Sequence, residues 1–177
     1  MDLKKVIIAV ILLLIVLVGG FLLMSSQSGQ VIKYDEHFNL TLPADFNTTE
    51  VNGSVTSAFP ENKSYIIQVN EDKDYNVDNI GPDFKMVQEA VNLTDLKQYY
   101  TNVSVHNVGN NKVYEYTTTD ADVLKQQGYD ARMARELSIA VPNSKKIYNL
   151  IFLTNDTSVD LRNSDIESII NSTAQIE

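Results

Sequence analysis

Residues 131–154 read ARMARELSIAVPNSKKIYNLIFLT. Met133, Leu137, Ile139 and Val141 share one parity, as the buried side of a strand requires. Pro142-Asn143-Ser144 supplies a turn. From Ile147 to Leu153 the chain is apolar on both faces, the pattern of a central strand. Two long strands joined so closely predict a hairpin, and hence an antiparallel sheet.

Working outward, residues 160–173 predict a closing helix with Leu161, Ile166, Ile169 and Ile170 on one side. Upstream, residues 103–108 and 112–119 read as a hairpin around Gly109-Asn110-Asn111. Residues 120–131 read as a loop with a turn of helix at 122–126. Gly81-Pro82 opens a helix, because proline is favoured in a first turn. Phe84, Val87 and Val91 fall on one face of it, and Leu96, Tyr99 and Tyr100 continue the stripe after a break at 92–94. Residues 54–59 and 64–70 are expected strands. Phe38, Leu40 and Leu42 alternate with Asn39 and Thr41 in another, which Pro43 ends. The class expected is α+β, an antiparallel β-sheet flanked by helices.

Val6 to Met24 is a run of 19 residues without a polar side chain. As a helix it would span roughly 28 Å, close to a hydrocarbon core. Lys4 and Lys5 precede it, and no Lys or Arg lies between Ser25 and Ile32. The positive-inside rule then places the N-terminus in the cytoplasm and the rest outside. The expected plan is a cytoplasmic tip at 1–5, a transmembrane helix at 6–24, a linker at 25–30 and an extracytoplasmic domain at 31–177. A cleaved signal peptide is the competing reading, but its apolar region is usually shorter and no A-x-A site follows. A pilin-type leader needs a small residue where Lys5 stands, and Gly19-Gly20 lacks the G-x-x-x-G spacing of a helix-packing motif.

Eight asparagines begin an N-x-[ST] sequon, where 17 Asn and 25 Ser plus Thr would give roughly two or three by chance. Asn47, Asn52, Asn62, Asn102 and Asn155 are the glycosylation candidates. Asn39, Asn92 and Asn171 fall in expected strand or helix positions. Setting aside Asp2, Lys4 and Lys5 leaves 12 basic and 22 acidic residues, a surface that repels phosphate backbones. Nucleic acid is therefore not an expected partner. The chain has no cysteine, which removes disulfides, thiolate metal sites, thiol nucleophiles and a lipobox anchor.

HFNLTLPADF resembles the opening strand of PsbP-like domains. The last 70 residues resemble that family's second half: HNVGNNKVYEYTT, then ARELSIAV and KIYNLIFLT, then a closing helix with DIESIINS. The resemblance implies an αβα sandwich like that of photosystem II extrinsic subunits, a Ran-binding factor and archaeal membrane-anchored proteins, and the anchored, sequon-rich plan is most similar to the last. The matching motifs are structural. The aromatic after Pro43 is Phe46, where the family often has Trp nearer the proline. No ligand motif carries over, and the fold alone does not give function.

No catalytic signature is present: no G-x-S-x-G, no H-E-x-x-H and no phosphate-cradling glycine loop. His37 and His106 are the only histidines, one expected in the first strand and one near a hairpin bend. Neither enzyme activity nor a cofactor is expected. Asp72, Asp74, Asn76 and Asp78 alternate like calcium-loop ligands with Asp83 at the twelfth place. Val77 stands where such loops have Gly, so a solvated acidic turn is the expected reading. Tyr99, Tyr100, Tyr114, Tyr116, Tyr129 and Tyr148 are expected in the core, although they could line a glycan or peptide surface. Arg132 and Arg135 beside Glu136 read as exposed strand charges. The leading expectation is a membrane-anchored, non-catalytic interaction or accessory domain with a surface protein partner. Alternatives are a glycosylated structural component of the envelope and a weak calcium-responsive sensor.

Overall fold

The computed structural model describes residues 29–51 and 54–173. The apolar run at 6–24 and Asn52 lie outside the described residues, and among those described no helix is long and apolar enough to cross a membrane.

A seven-stranded sheet, antiparallel throughout, organises the fold. Its strands are β3 (Phe46–Val51), β4 (Ser54–Pro60), β5 (Ile66–Asp72), β6 (Tyr100–Val108), β7 (Asn111–Thr118), β8 (Met133–Val141) and β9 (Lys146–Thr154). Their order is β3-β4-β5-β9-β8-β7-β6. The expected hairpin is β8–β9, paired from Met133↔Thr154 to Val141↔Lys146. β9 is central as its sequence implies, because β5 claims its other side from Ile66↔Leu153 to Asp72↔Ile147.

One face is closed by a separate hairpin, β1 (Gln30–Lys33) and β2 (Asn39–Leu42), together with the C-terminal helix α3 (Ser164–Ser172). Phe38, Leu40 and Leu42 are buried there with Ile67, Leu150, Phe152, Ile166, Ile169 and Ile170 in the main core. Asp35 clasps the hairpin to the sheet. Its Oδ1 accepts from the His37 and Phe38 amides, and its Oδ2 accepts from the Tyr148 hydroxyl at 2.9 Å. Phe38 then stacks on the Tyr148 ring at 4.5 Å between centroids.

The opposite face carries α1 (Ile80–Leu93) at one end and the short α2 (Ala121–Gln126) at the other. Ile80 and Phe84 pack with Tyr114, Ala140 and Ile147. Leu124 packs with Ala131, Ala134, Ile151 and Leu153. Gly81 allows the close approach at α1, since a Cβ there would stand 3.2 Å from the Tyr114 hydroxyl.

Several expectations need correction. Gln30 belongs to β1, not to a linker, and its side chain reaches the Phe46 carbonyl at 2.8 Å. His37 sits in the bend before β2 rather than in the strand. The apolar stripe of α1 does not continue, because Thr94 caps a 3-10 turn at Asp95–Gln98 and Tyr100 opens β6. The last helix starts at Ser164 because Asn163 Oδ1 accepts from the Asp165 and Ile166 amides. β3 was not expected, since all of its residues after Phe46 are exposed and show no apolar alternation.

Arg135 is the largest correction. It is 1% exposed and lies beneath α3, not on the surface. Its guanidinium donates to Glu115 Oε2 through Nη2 at 2.8 Å and through Nε at 3.2 Å. Nη1 donates to the Leu161 carbonyl and to Glu167. Arg162 Nη2 holds the other oxygen of Glu115 at 2.8 Å. A buried carboxylate needs this many charged donors. Burial pushes the Glu115 carboxyl up, but the hydrogen bonds from Arg135 and Arg162 outweigh it and hold the group below its ordinary value.

Candidate functional site

Between α1 and α2 the sheet is left uncovered, and a cleft of about 720 Å³ opens over β7, β8 and β9. Strand alternation builds its floor. Arg135, Leu137 and Ile139 point to the hairpin side, so Glu136 and Ser138 point into the cleft, with Tyr116 from β7 and Asn149 and Ile151 from β9. Phe84, Met86, Val87 and Ala90 of α1 form one wall, and Tyr129, just after α2, forms the other. Asp72 and Asp83 stand at the α1 end.

Most floor groups are already spoken for. The Ser138 hydroxyl donates to Asn149 Oδ1 at 2.9 Å, and Asn149 Nδ2 donates to Asp72 Oδ2 at 3.2 Å. The Tyr116 hydroxyl donates to Glu136 Oε2 at 2.8 Å. Glu136 Oε1 is different: it is withdrawn from solvent and has no donor. Burial pushes the Glu136 carboxyl above its ordinary value, and the Tyr116 hydrogen bond offsets only part of that. The hydroxyls of Tyr116, Tyr100 and Tyr129 are pushed up in turn, first by burial and then by the charge of Glu136. Tyr100 packs edge-on against Tyr116 at 5.5 Å. Tyr116 thus bonds the carboxyl group directly, with Tyr100 packed on its ring.

Of the six tyrosines expected in the core, Tyr99 and Tyr100 are only half-buried and the other four divide between two roles. Tyr114 and Tyr148 are buried in it, whereas Tyr116 and Tyr129 line the cleft. The acidic loop does not gather around a point. Asp72 Oδ1 accepts from the Asp74 and Tyr75 amides, and Asn76 Oδ1 accepts from those of Asp78 and Asn79. Among the described residues no group of three or more His, Asp or Glu side chains is placed to share a metal ion. His37 lies 3.2 Å from Glu36 and His106 pairs across strands with Val113, and neither belongs to the cleft lining.

Asn47, Asn62, Asn102 and Asn155 are all exposed. Asn47 and Asn102 lie on the two edge strands, β3 and β6, and Asn102 occupies a bulge with φ +54°. Asn62 is in the β4–β5 turn, and Asn155 follows β9 with its Nδ2 on the Asp130 carbonyl.

The Glu136 site was not singled out from the sequence. The available signal was parity: a charged residue on the second face of a predicted inner strand, where a solvated residue has little room. No family model matches the chain, and no curated protein matches it in sequence. The geometry itself defines an α+β domain with a ligand-sized cleft on one sheet face.

Proposed function

We propose that this chain is a membrane-anchored, extracytoplasmic binding module without catalytic activity, and that the cleft between α1 and α2 is its binding site. The observation that carries the reading is the convergence of Glu136, Tyr116 and Asn149 on the floor of an apolar-walled cleft of about 720 Å³. That volume and that mixture of surfaces suit small-ligand recognition. The lining includes no histidine or lysine, and its one serine hydroxyl donates to an amide oxygen instead of to a base. The absence of a serine–base pair from that lining supports the non-catalytic reading.

Placement outside the membrane rests on Lys4 and Lys5 before the apolar run and on the excess of sequons. We read the fold as a PsbP-like αβα sandwich. The sequence resemblance supports this, as does a sheet with helices on both faces. A second reading, a glycosylated structural component of the envelope, draws on the exposure of Asn47, Asn62, Asn102 and Asn155.

Val87→Trp tests the binding reading, because Val87 is 44% exposed on the cleft wall and a larger side chain there fills the space without entering the core. Ligand-observed NMR of the full chain in lipid nanodiscs against a fragment library should give hits that Val87→Trp loses. Identical profiles for the two proteins would reject the cleft as the site.

A further inference from the structure

We propose that the cleft recognises a small organic ammonium ion, its charged end at Glu136 and its apolar body along α1; the inference rests on the reading of the cleft as a binding site. The formal charge of the lining is one-sided. Asp72, Asp83 and Glu136 contribute carboxyl groups, and no Lys or Arg lines the space. An anion would meet only repulsion there.

The hydrogen-bond inventory points the same way. Glu136 Oε1 is a buried acceptor with no donor, while Oε2 is occupied by Tyr116. A ligand bearing N–H groups supplies the missing donor, and a cationic one also offsets the cost of burying the carboxylate. A second carboxylate cannot donate to Oε1 at all. Tyr116 and Tyr129 line the same cleft, and tyrosine faces attract ammonium groups. Opposite them Phe84, Met86 and Val87 offer an apolar wall, with Met86 61% exposed, which suits a hydrocarbon chain attached to the charge. The titratable groups that feel the charge of Glu136 are Tyr116 from β7, Tyr100 from β6 and Tyr129 after α2, while the carboxylates of Asp72 from β5 and Asp83 from α1 line the same cleft and add to its attraction for a cation.

The test titrates the full chain in nanodiscs with butylammonium, butyrate and butanol, three probes of matched size and low partition into lipid. Binding is read by calorimetry. Butylammonium should bind, weakly for so small a probe, with butyrate showing no binding and butanol at least ten times weaker. Glu136→Gln should weaken butylammonium at least tenfold, and a far-UV melt of that variant establishes that it is folded. Val87→Trp should abolish the signal. Absence of butylammonium binding overturns the inference, as does unchanged binding in Glu136→Gln. Should butanol or butyrate bind in a Val87→Trp-sensitive way while butylammonium does not, the ammonium assignment falls and the cleft stands as a binding site. Should butylammonium bind equally to wild type and Val87→Trp, both readings fall.

Discussion

Arg135 and Glu136 are consecutive in β8 and face opposite sides of the same sheet, Arg135 buried and Glu136 half-buried. Arg135 is held beneath α3 by Glu115, Glu167 and the Leu161 carbonyl. Glu136 faces the cleft with one oxygen on Tyr116 and one oxygen without a donor. Neighbouring charges of opposite sign therefore never meet, and each faces a different problem. The first is solved inside the protein, and the second leaves an acceptor without a donor.

Removing the Arg135 charge should be costly. Arg135→Met leaves Glu115 buried with Arg162 alone, and breaking a buried pair on one side typically costs about 3–5 kcal/mol. The pH dependence follows from the lowered Glu115 carboxyl, whose first influence is burial but whose net direction is set by the two arginines. Its stabilisation is fully present above the unfolded value near 4.5 and is lost as the pH falls through the folded value. Urea titrations between pH 7 and pH 3 should show a lower midpoint for the variant at pH 7 and a shallower loss below pH 4.5. An equal midpoint at pH 7 would mean that the network contributes nothing to the fold.

Glu136 has the opposite sign. Its carboxyl is raised, chiefly by burial, so the folded chain holds that proton more tightly than the unfolded chain does. The ionised form costs stability once the pH exceeds the unfolded value near 4.5, and the penalty is complete above the folded value. Glu136→Gln keeps an acceptor for Tyr116 and cannot ionise. It should melt higher than the parent chain at pH 7 and at the same temperature at pH 4. A lower melting temperature at pH 7 would show that the carboxylate is stabilised in a way the geometry does not reveal.

How far the sequence could be read depended on whether apolar side chains carried the signal. Phe38, Leu40 and Leu42, the β8–β9 hairpin and the Ile166-Ile169-Ile170 stripe all bury apolar groups at the expected period. β3 was invisible because an outer strand needs no apolar alternation. Arg135 was misread although its parity with Met133 and Leu137 already put it on the core face. A charge there can be buried only if partners arrive, and Glu115, Arg162 and Glu167 come from positions 20 to 32 residues away in the sequence. The cleft was missed for a related reason. It exists because α1 and α2 stop short of each other over a polar strip of sheet, a relation between elements that no local pattern carries.

The hairpin of β1 and β2 should depend on one aromatic stack. Phe38 is fully buried and packs at 14° against the Tyr148 ring. Phe38→Ala leaves a cavity at the join between hairpin and sheet and should cost about 3–5 kcal/mol. A melt followed by far-UV circular dichroism checks this, with a loss under about 1 kcal/mol arguing that the hairpin closes over the gap.

Topology is open to a direct measurement. Lys4 and Lys5 before the apolar run and a charge-free flank after it predict that residues 31–177 face outward. Protease added to intact cells should digest that region and leave an N-terminal tag protected. Protection of the whole chain would reverse the orientation.

The acidic loop yields the last prediction, that millimolar calcium leaves the melting temperature unchanged. A calcium loop needs about six to eight oxygens, waters included, converging on one point, and its sharp bend normally relies on glycine at the sixth place, where this chain has Val77. Here two of the candidate ligands, Asp72 and Asn76, turn an oxygen to the backbone instead. Asp72 Oδ1 caps the Asp74 and Tyr75 amides at 3.0 and 3.3 Å, and its Oδ2 accepts from Asn149. Asn76 Oδ1 caps Asp78 and Asn79 at 2.9 and 3.1 Å, and Asn79 Oδ1 returns to the Asn76 amide at 2.8 Å. Asp83 lies in the first turn of α1 and lines the cleft. To bind an ion the loop would have to release those amides and bring carboxylates together against their own repulsion. Even a site in the weak range of about 10⁻⁴–10⁻³ M would add roughly a kcal/mol at millimolar calcium, enough to move a melting temperature by a few degrees. Melts of the full chain and of Asp74→Ala, each with 2 mM (about the extracellular level such sites are tuned to) calcium and with chelator, should coincide in pairs. A calcium-dependent rise in the parent chain that Asp74→Ala abolishes would show that the loop rearranges into a site after all.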